Sequence, residues 1–189
     1  GAEVFLKPSG LLTAKPGFRE PGSNGLTRDL QGRLLLAMQK PDEAADVLGK
    51  AMKAAAPSAD EGIYALAAAA WLEAKQPTRA LTAVTEGLSK YPASVPLKLA
   101  LAEIYAADKK MEPAFAAVEK IFSADDLKEK DYQQAAGFFA RYDRLERAVA
   151  VLHDAEKRFP QSDGIQFQLG AAYERMKKFE EAEKHLRRA

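Results

Sequence analysis

The segment DRLERAVAVL, Asp143–Leu152, recurs in altered form along the chain, and that recurrence decides the fold. Lys75–Val84 reads KQPTRALTAV, Lys109–Val118 reads KKMEPAFAAV and Lys177–Leu186 reads KKFEEAEKHL; with Asp143–Leu152 they start at intervals of 34 residues. A fifth copy, QKPDEAADVL at Gln39–Leu48, precedes the first of these by 36 residues. Ala44, Ala80, Ala114, Ala148 and Ala182 fall in register, as do Leu48, Val84, Val118, Leu152 and Leu186. Self-similarity at a fixed period of this length marks a repeat array.

Units set to start at Gly25, Glu61, Val95, Glu129 and Asp163 align further columns. Position 8 reads Gly32, Ala68, Ala102, Ala136 and Gly170, all small. Position 11 reads Leu35, Trp71, Tyr105, Phe139 and Tyr173, all large and apolar in body. Position 27 reads Ala51, Gly87, Ile121, Ala155 and Ala189, small in all but one. Two helical patterns fit each unit, helix A over about positions 2–14 and helix B over about 18–30. Small residues at positions 8, 20 and 27 let the two approach closely, because helix separation follows the side chains at the contact. Pro57, Pro92 and Pro160 mark unit ends, where proline stops a helix. Pro96 and Pro113 suit first helical turns, and Pro41 and Pro77 are expected in the A–B turn. The stretch DLKE, Asp126–Glu129, has the spacing of a capping box.

These residues resemble the tetratricopeptide repeat, a helix–turn–helix unit. The likeness covers Gly25–Ala189 and departs at two columns. Position 4, often aromatic, keeps only Tyr64 and Tyr132 and otherwise holds Arg28, Lys98 and Gln166; position 17 holds Pro41, Pro77, Met111, Leu145 and Phe179. The resemblance implies an all-α, right-handed superhelical solenoid of antiparallel helix pairs. It would hold about five repeats, at 25–60, 61–94, 95–128, 129–162 and an incomplete 163–189. It also implies a concave groove lined by helix A residues. Here that groove would carry Ala65, Ala69, Leu72, Leu99, Glu103, Lys130, Gln133, Arg141, Phe167 and Arg175. An apolar anchor of a peptide or helix is expected near Ala69, Leu72 and Leu99, and its polar part near Lys130, Gln133, Arg141 and Arg175. A groove unused, or filled by the chain's own N-terminal arm, is the other reading. The Lys, Asn and Arg set with which some relatives clamp a chaperone's C-terminal carboxylate is missing. Ala65 and Ala69, or Leu99 and Glu103, stand at its positions.

Composition narrows the function. The 189 residues are 47% hydrophobic and 29% charged, enough apolar content for a core. A net charge of +1 lacks the basic excess of a nucleic-acid binder, and the chain has no cysteine for disulfide, redox or thiolate-metal chemistry. No apolar run is long enough to insert in a membrane. His153 and His185 have no sequence neighbour at metal or catalytic spacing, and no nucleophile elbow, HExxH or phosphate-binding glycine loop occurs. Asp125–Asp126 and Glu180–Glu181 suit caps and solvated faces. Lys177, Lys178, Arg187 and Arg188 interleave with Glu180, Glu181 and Glu183 as on a salt-bridged surface. No catalytic residue, metal or cofactor is therefore expected.

Residues 1–24 carry Pro8, Pro16 and Pro21 and the apolar clusters Val4–Leu6 and Leu11–Leu12. They read as an extended linker or as a strand-like arm covering apolar surface. At the other end no Gly, Pro or Asn stops the last helix, so fraying is expected after Leu186, or contact with another molecule through an uncapped repeat. The expected function is a non-catalytic protein–protein interaction scaffold with a protein or peptide partner. The alternative is a structural, self-associating segment of a larger bacterial cell-envelope protein. The alanine-rich, cysteine-free composition points to a bacterial source, and periplasm or cell envelope is the expected setting over cytoplasm.

Overall fold

The computed structural model describes residues 38–54 and 60–189, together with Gly32 and Leu35. The N-terminal arm, Pro57 and most of the first helix A lie outside these. The described residues form two compact units, one ending at Lys109 and one spanning Lys110–Ala189. The first holds α1 (Pro41–Ala54), α2 (Glu61–Glu73), α3 (Pro77–Lys90) and α4 (Val95–Ala107). The second holds α5 (Met111–Glu119), α6 (Glu129–Arg141), α7 (Leu145–Arg158), α8 (Asp163–Arg175) and α9 (Phe179–Leu186). A 3₁₀ turn, Lys120–Ser123, follows α5, and no strand occurs among the described residues. Within each unit every helix packs on the next, and helices A also touch one another, α2 with α4 and α6 with α8.

The four described helices A start at position 1 of their repeats and the helices B at position 17, one residue ahead of the sequence expectation. The start of helix A is fixed by the last residue of the preceding repeat. Asp60 accepts from the Ile63 N–H at 3.0 Å, Ser94 Oγ from Leu97 at 3.3 Å and Ser162 Oγ from Ile165 at 3.1 Å. Each thereby satisfies an otherwise orphan amide, typically for about 1 kcal/mol. The expected DLKE box is not what caps α6. Lys128 is its N-cap residue, and Asp131, a turn in, accepts from the Lys128 N–H at 2.8 Å. Pro41 and Pro77 are the first residues of α1 and α3, not turn residues, because N1 has no intrahelical use for an N–H.

The A–B turn repeats one geometry. Gln39, Lys75, Lys109, Asp143 and Lys177, all at position 15, have φ between 57° and 60°. In the second repeat the Lys75 N–H donates to Leu72 C=O at 3.0 Å and the Gln76 N–H to Trp71 C=O at 2.8 Å. Asp143 and Arg144 repeat the pair onto Ala140 and Phe139, and Lys177 and Lys178 onto Glu174 and Tyr173. This is a Schellman motif, and it closes helix A without its usual glycine.

The core follows the columns. Ala44, Ala80, Ala114, Ala148 and Ala182 are buried, as are Leu48, Val84, Val118 and Leu152. Positions 8 and 24 share space: a Cβ on Gly32 would lie 2.4 Å from Leu48 Cγ, and one on Gly170 2.5 Å from Leu186 Cγ. Where position 24 shrinks to Val84 or Val118, position 8 grows to Ala68 or Ala102, and the fourth repeat departs from this with Ala136 and Leu152. At position 27 a Cβ on Gly87 would lie 2.9 Å from both Leu97 Cδ1 and Tyr64 Cβ. The third repeat breaks that rule with buried Ile121, and there helix B is short: α5 ends at Glu119 and Ile121 sits in the 3₁₀ turn. A large residue where the others place a small one coincides with the loss of the last α-helical turn. Nearby, Phe115 stacks on Phe139 with centroids 5.9 Å apart and meets Phe138 edge-on at 6.3 Å.

Candidate functional site

The expected groove residues are split between the two units. In the first, Ala65, Ala69 and Leu72 follow i, i+4, i+7 spacing on α2, which places them on one helix face. Ala65 and Leu72 are half-buried against the core, and Ala69 is exposed. On α4, Leu99 and Glu103 are both half-buried. The strip is narrow in side chain and leaves backbone close to the surface.

In the second unit α6 carries Lys130, Gln133 and Arg141, and α8 carries Phe167 and Arg175. Lys130 and Arg141 are exposed, and Phe167 is 60% exposed, a large aromatic side chain held out from its helix. Gln133 is committed to the fold: its Nε2 donates to Glu129 Oε1 at 3.0 Å, and a Cβ on Gly164 would lie 2.5 Å from it. Glu129 Oε1 also accepts from Ser162 Oγ at 2.6 Å, so this pair joins the first turns of α6 and α8. Arg175 reaches back across the same two helices. Its Nη1 donates to Ala140 C=O at 2.8 Å, and its Nη2 lies 3.7 Å from Asp143 Oδ1.

A cavity of about 150 Å³ opens between these helices. Ala136, Gly137 and Ala140 of α6 form one wall, with Ala148 and Leu152 of α7 below. Gln168, Ala171, Ala172 and Arg175 of α8 form the other. A Cβ built on Gly137 meets nothing within 4 Å, so packing does not require glycine there. Gln168 Oε1 is buried and has no hydrogen-bond partner. In the first unit a wider opening of about 460 Å³ lies between α1 and α3 over Trp71. Its rim holds Asp46, Lys50, Lys53, Arg79 and Glu86, charges of both signs. Asp46 and Lys50 pair at 2.7 Å.

The histidines, one repeat apart in sequence, meet in space. His153 and His185 have ring centroids 5.8 Å apart, and Tyr173 stacks on His185 at 5.5 Å. His153 Nε2 is 2.8 Å from the Tyr173 hydroxyl and its Nδ1 3.1 Å from Glu156 Oε2. Gln166 links the group: its Nε2 donates to Glu156 Oε1 at 2.8 Å, and its Oε1 is 2.8 Å from His185 Nδ1, which donates. Arg188 Nη1 donates to the same Glu156 oxygen at 2.9 Å. The hydrogen bond from Gln166, helped by His153 and Arg188, holds the Glu156 carboxyl at about 2, far below its ordinary range. Burial pushes the His185 imidazole down and the Tyr173 hydroxyl up. The sequence signal for this network was Gln166, a polar residue at the often aromatic position 4, and it is buried. Every polar end in it that faces another is paired, which is the arrangement of a structural latch between α7, α8 and α9. Among the described residues no group of three or more His, Asp or Glu is placed to hold a metal, and no helix is long and apolar enough to cross a membrane.

No protein-family model matches the chain, and no curated protein matches it in sequence. Solved structures do match. A structure of nearly identical TPR-like repeats from a putative kinesin light chain of Podosopora anserina shares 16% identity at a TM-score of 0.66, covering 90% of this chain and 95% of that one. MamA from Desulfovibrio magneticus RS-1, residues 41 to the end, shares 16% identity at a TM-score of 0.56, covering 87% and 92%. A further MamA structure matches at 14% identity and a TM-score of 0.56, covering 83% and 91%. At such identities the likeness is one of fold, and the fold is an all-α array of TPR-like repeats.

Proposed function

We propose that this chain is a non-catalytic protein-interaction scaffold whose helix A faces receive a peptide or helix of a partner protein. TPR-like repeat arrays serve in general as interaction scaffolds, since stacked repeats expose a long continuous surface and no enclosed reactive pocket. The observation that carries the reading is the side-by-side packing of consecutive helices A, α2 with α4 and α6 with α8. It supports a continuous strip within each unit. In the first, Ala65, Ala69, Leu72, Leu99 and Glu103 form a shallow, largely apolar strip suited to close approach. In the second, Phe167 offers an apolar contact flanked by Lys130, Arg141 and Arg175, which suits a partner with acidic side chains. Capture by the immobilised chain, compared with Leu72→Asp, Leu99→Asp and Arg141→Glu, tests this; retention of the same partner by all three variants removes it.

A second reading, self-association through a chain end, is favoured by one observation. Phe179 and Leu186 on α9 are 66% and 42% exposed, whereas Leu145 and Leu152 at the same repeat positions on α7 are 9% and 2% exposed. Apolar positions that an interior repeat covers are open on α9, and such patches associate. Light scattering after size exclusion decides: concentration-dependent dimers that Phe179→Asp abolishes support it, and a monomer at all concentrations rejects it.

A further inference from the structure

We infer that the pair His153 and His185 makes α9 a proton-operated clasp: the network closes α9 onto α8 while it carries at most one imidazolium, and a second proton opens it. The inference rests on neither reading of function above. It starts from the direction of the hydrogen bonds. Both oxygens of Glu156 accept, Oε2 from His153 Nδ1 and Oε1 from Gln166 Nε2 and Arg188 Nη1. With its amide nitrogen so committed, Gln166 turns its oxygen to His185, and His185 Nδ1 must donate. The carboxylate likewise makes His153 Nδ1 a donor, which leaves Nε2 of the neutral ring to accept from the Tyr173 hydroxyl. Both tautomers are thereby fixed.

The two rings answer a proton differently. His153 is half-buried, and a proton on its Nε2 only reverses one bond. The Tyr173 hydroxyl, with no other hydrogen-bond partner among the described residues, turns and accepts, and the imidazolium pairs with Glu156 at 3.1 Å. His185 is 6% exposed, and its Nδ1 already donates. A proton on its Nε2 puts a second cation into a ring whose centroid lies 5.8 Å from that of His153. Arg188 and Lys184 on α9 add to the repulsion, and Lys178 lies against the Tyr173 ring. Glu156, already shared by three donors, and Glu181 beside Tyr173 are the facing anions. Burial is the largest influence holding the His185 imidazole below its ordinary range.

The weak point under this load is α9. It has eight residues and packs chiefly on α8, and a helix so short does not persist undocked in water. Once α9 lifts, His185 meets water and takes up the proton that the closed form refuses. The closed form therefore dominates above pH 6.5 and gives way as pH falls through the depressed value of His185, while Glu156, held at about 2, is still ionised. Opening uncovers Gly170 of α8, where an added Cβ would lie 2.5 Å from Leu186 Cγ.

The test follows amide exchange and the histidine ring signals of the full chain by NMR from pH 7.5 to 5.0. The account expects the protection factors of Lys184–Leu186 to fall at least tenfold over this range, in step with titration of His185, while α6 and α7 keep theirs. His185→Asn keeps a donor towards Gln166 and cannot charge, so α9 should stay protected down to pH 5.0. His153→Gln removes the first cation and should lower the opening midpoint by roughly one pH unit, the effect of one nearby like charge. A latch that is only structural opens below pH 4.5, when Glu156 takes its proton, and neither variant moves it within this range. Undiminished wild-type protection of α9 at pH 5.0, opening of His185→Asn at the wild-type midpoint, or simultaneous loss of protection from α6 to α9 overturns the proposal. If His185→Asn leaves α9 unprotected already at pH 7.5, His153→Gln decides, and a midpoint unmoved or raised overturns it.

Discussion

Arg158 closes over Tyr132: its Nη1 donates to the Tyr132 hydroxyl at 2.9 Å while its Nη2 donates to Asp125 C=O at 2.9 Å. The two residues occupy positions 4 and 30 of one repeat, and the relationship recurs. Lys90 Nζ donates to the Tyr64 hydroxyl and lies 5.0 Å from that ring's centroid. Where position 4 is not tyrosine, position 30 is an alanine, at Ala54 and Ala124. The cation thus fastens the end of helix B to the start of helix A. Tyr132→Phe should lower unfolding stability by about 1.5 kcal/mol, the lower end for a hydrogen bond to a charged donor, because Arg158 is exposed. Tyr132→Ala should cost about 3–5 kcal/mol, because the ring is buried between Phe122 and Phe159. Urea denaturation curves for the three proteins check the order; a Tyr132→Phe variant as unstable as Tyr132→Ala would contradict it.

The left-handed residues of the A–B turns set a second expectation. Lys75 and Lys177 hold φ of 57° and 59° in the position where helices usually place glycine. A side chain there costs roughly 1 kcal/mol or more. Replacing either with glycine should raise stability by about 0.5–1 kcal/mol, since both hydrogen bonds of the motif come from backbone and survive. Thermal melts measure this, and a lowered midpoint in both variants would show that the strain lies elsewhere.

Acid should loosen α9. Glu156, held at about 2 against an ordinary 4.5, contributes stability that is fully present above pH 4.5 and lost as pH falls from there toward 2. Linkage sets an upper bound of about 3 kcal/mol, and solvent screening at this partly exposed carboxylate brings the contribution down to roughly 1–2 kcal/mol. His185 adds in the same direction: its folded value is depressed, so the neutral ring favours the fold above pH 6.5, and that contribution falls as pH drops through the folded value. Glu156→Gln should therefore be less stable at pH 7 and should lose much of the decline between pH 4.5 and 2. Denaturant midpoints taken from pH 7 to pH 3 give the answer. A wild-type profile flat over that range would contradict the network.

The repeat period placed the starts of the described helices to within a residue, because the alanine and branched-residue columns are packing requirements that each repeat meets inside itself. What the columns could not show are contacts between one repeat and the next. His153 and His185 stand at positions 25 and 23 of consecutive repeats, and only the stacking of α7, α8 and α9 brings them together. Gln133 shows the same gap from the groove side: the columns place it on helix A, and the structure adds that Glu129 holds its amide and that Gly164 faces it. The cavity was equally invisible, since the alanines lining it also read as helix formers. Its trace in the sequence was Gly137, a glycine inside a helix with no cap or turn to explain it. The αL turns went unseen because their residues are Lys, Gln and Asp and not Gly.

The most direct test of the helix A account is calorimetric titration of the full chain with the partner it captures. The comparison is wild type against Leu72→Asp, Leu99→Asp and Arg141→Glu, with Lys157→Glu on helix B as control. Interface anchors of this kind carry roughly tenfold or more in affinity. The account predicts at least that loss for one or more of the three helix A variants and unchanged affinity for the control. Unaltered affinity in all three, or a loss confined to the helix B variant, would contradict it.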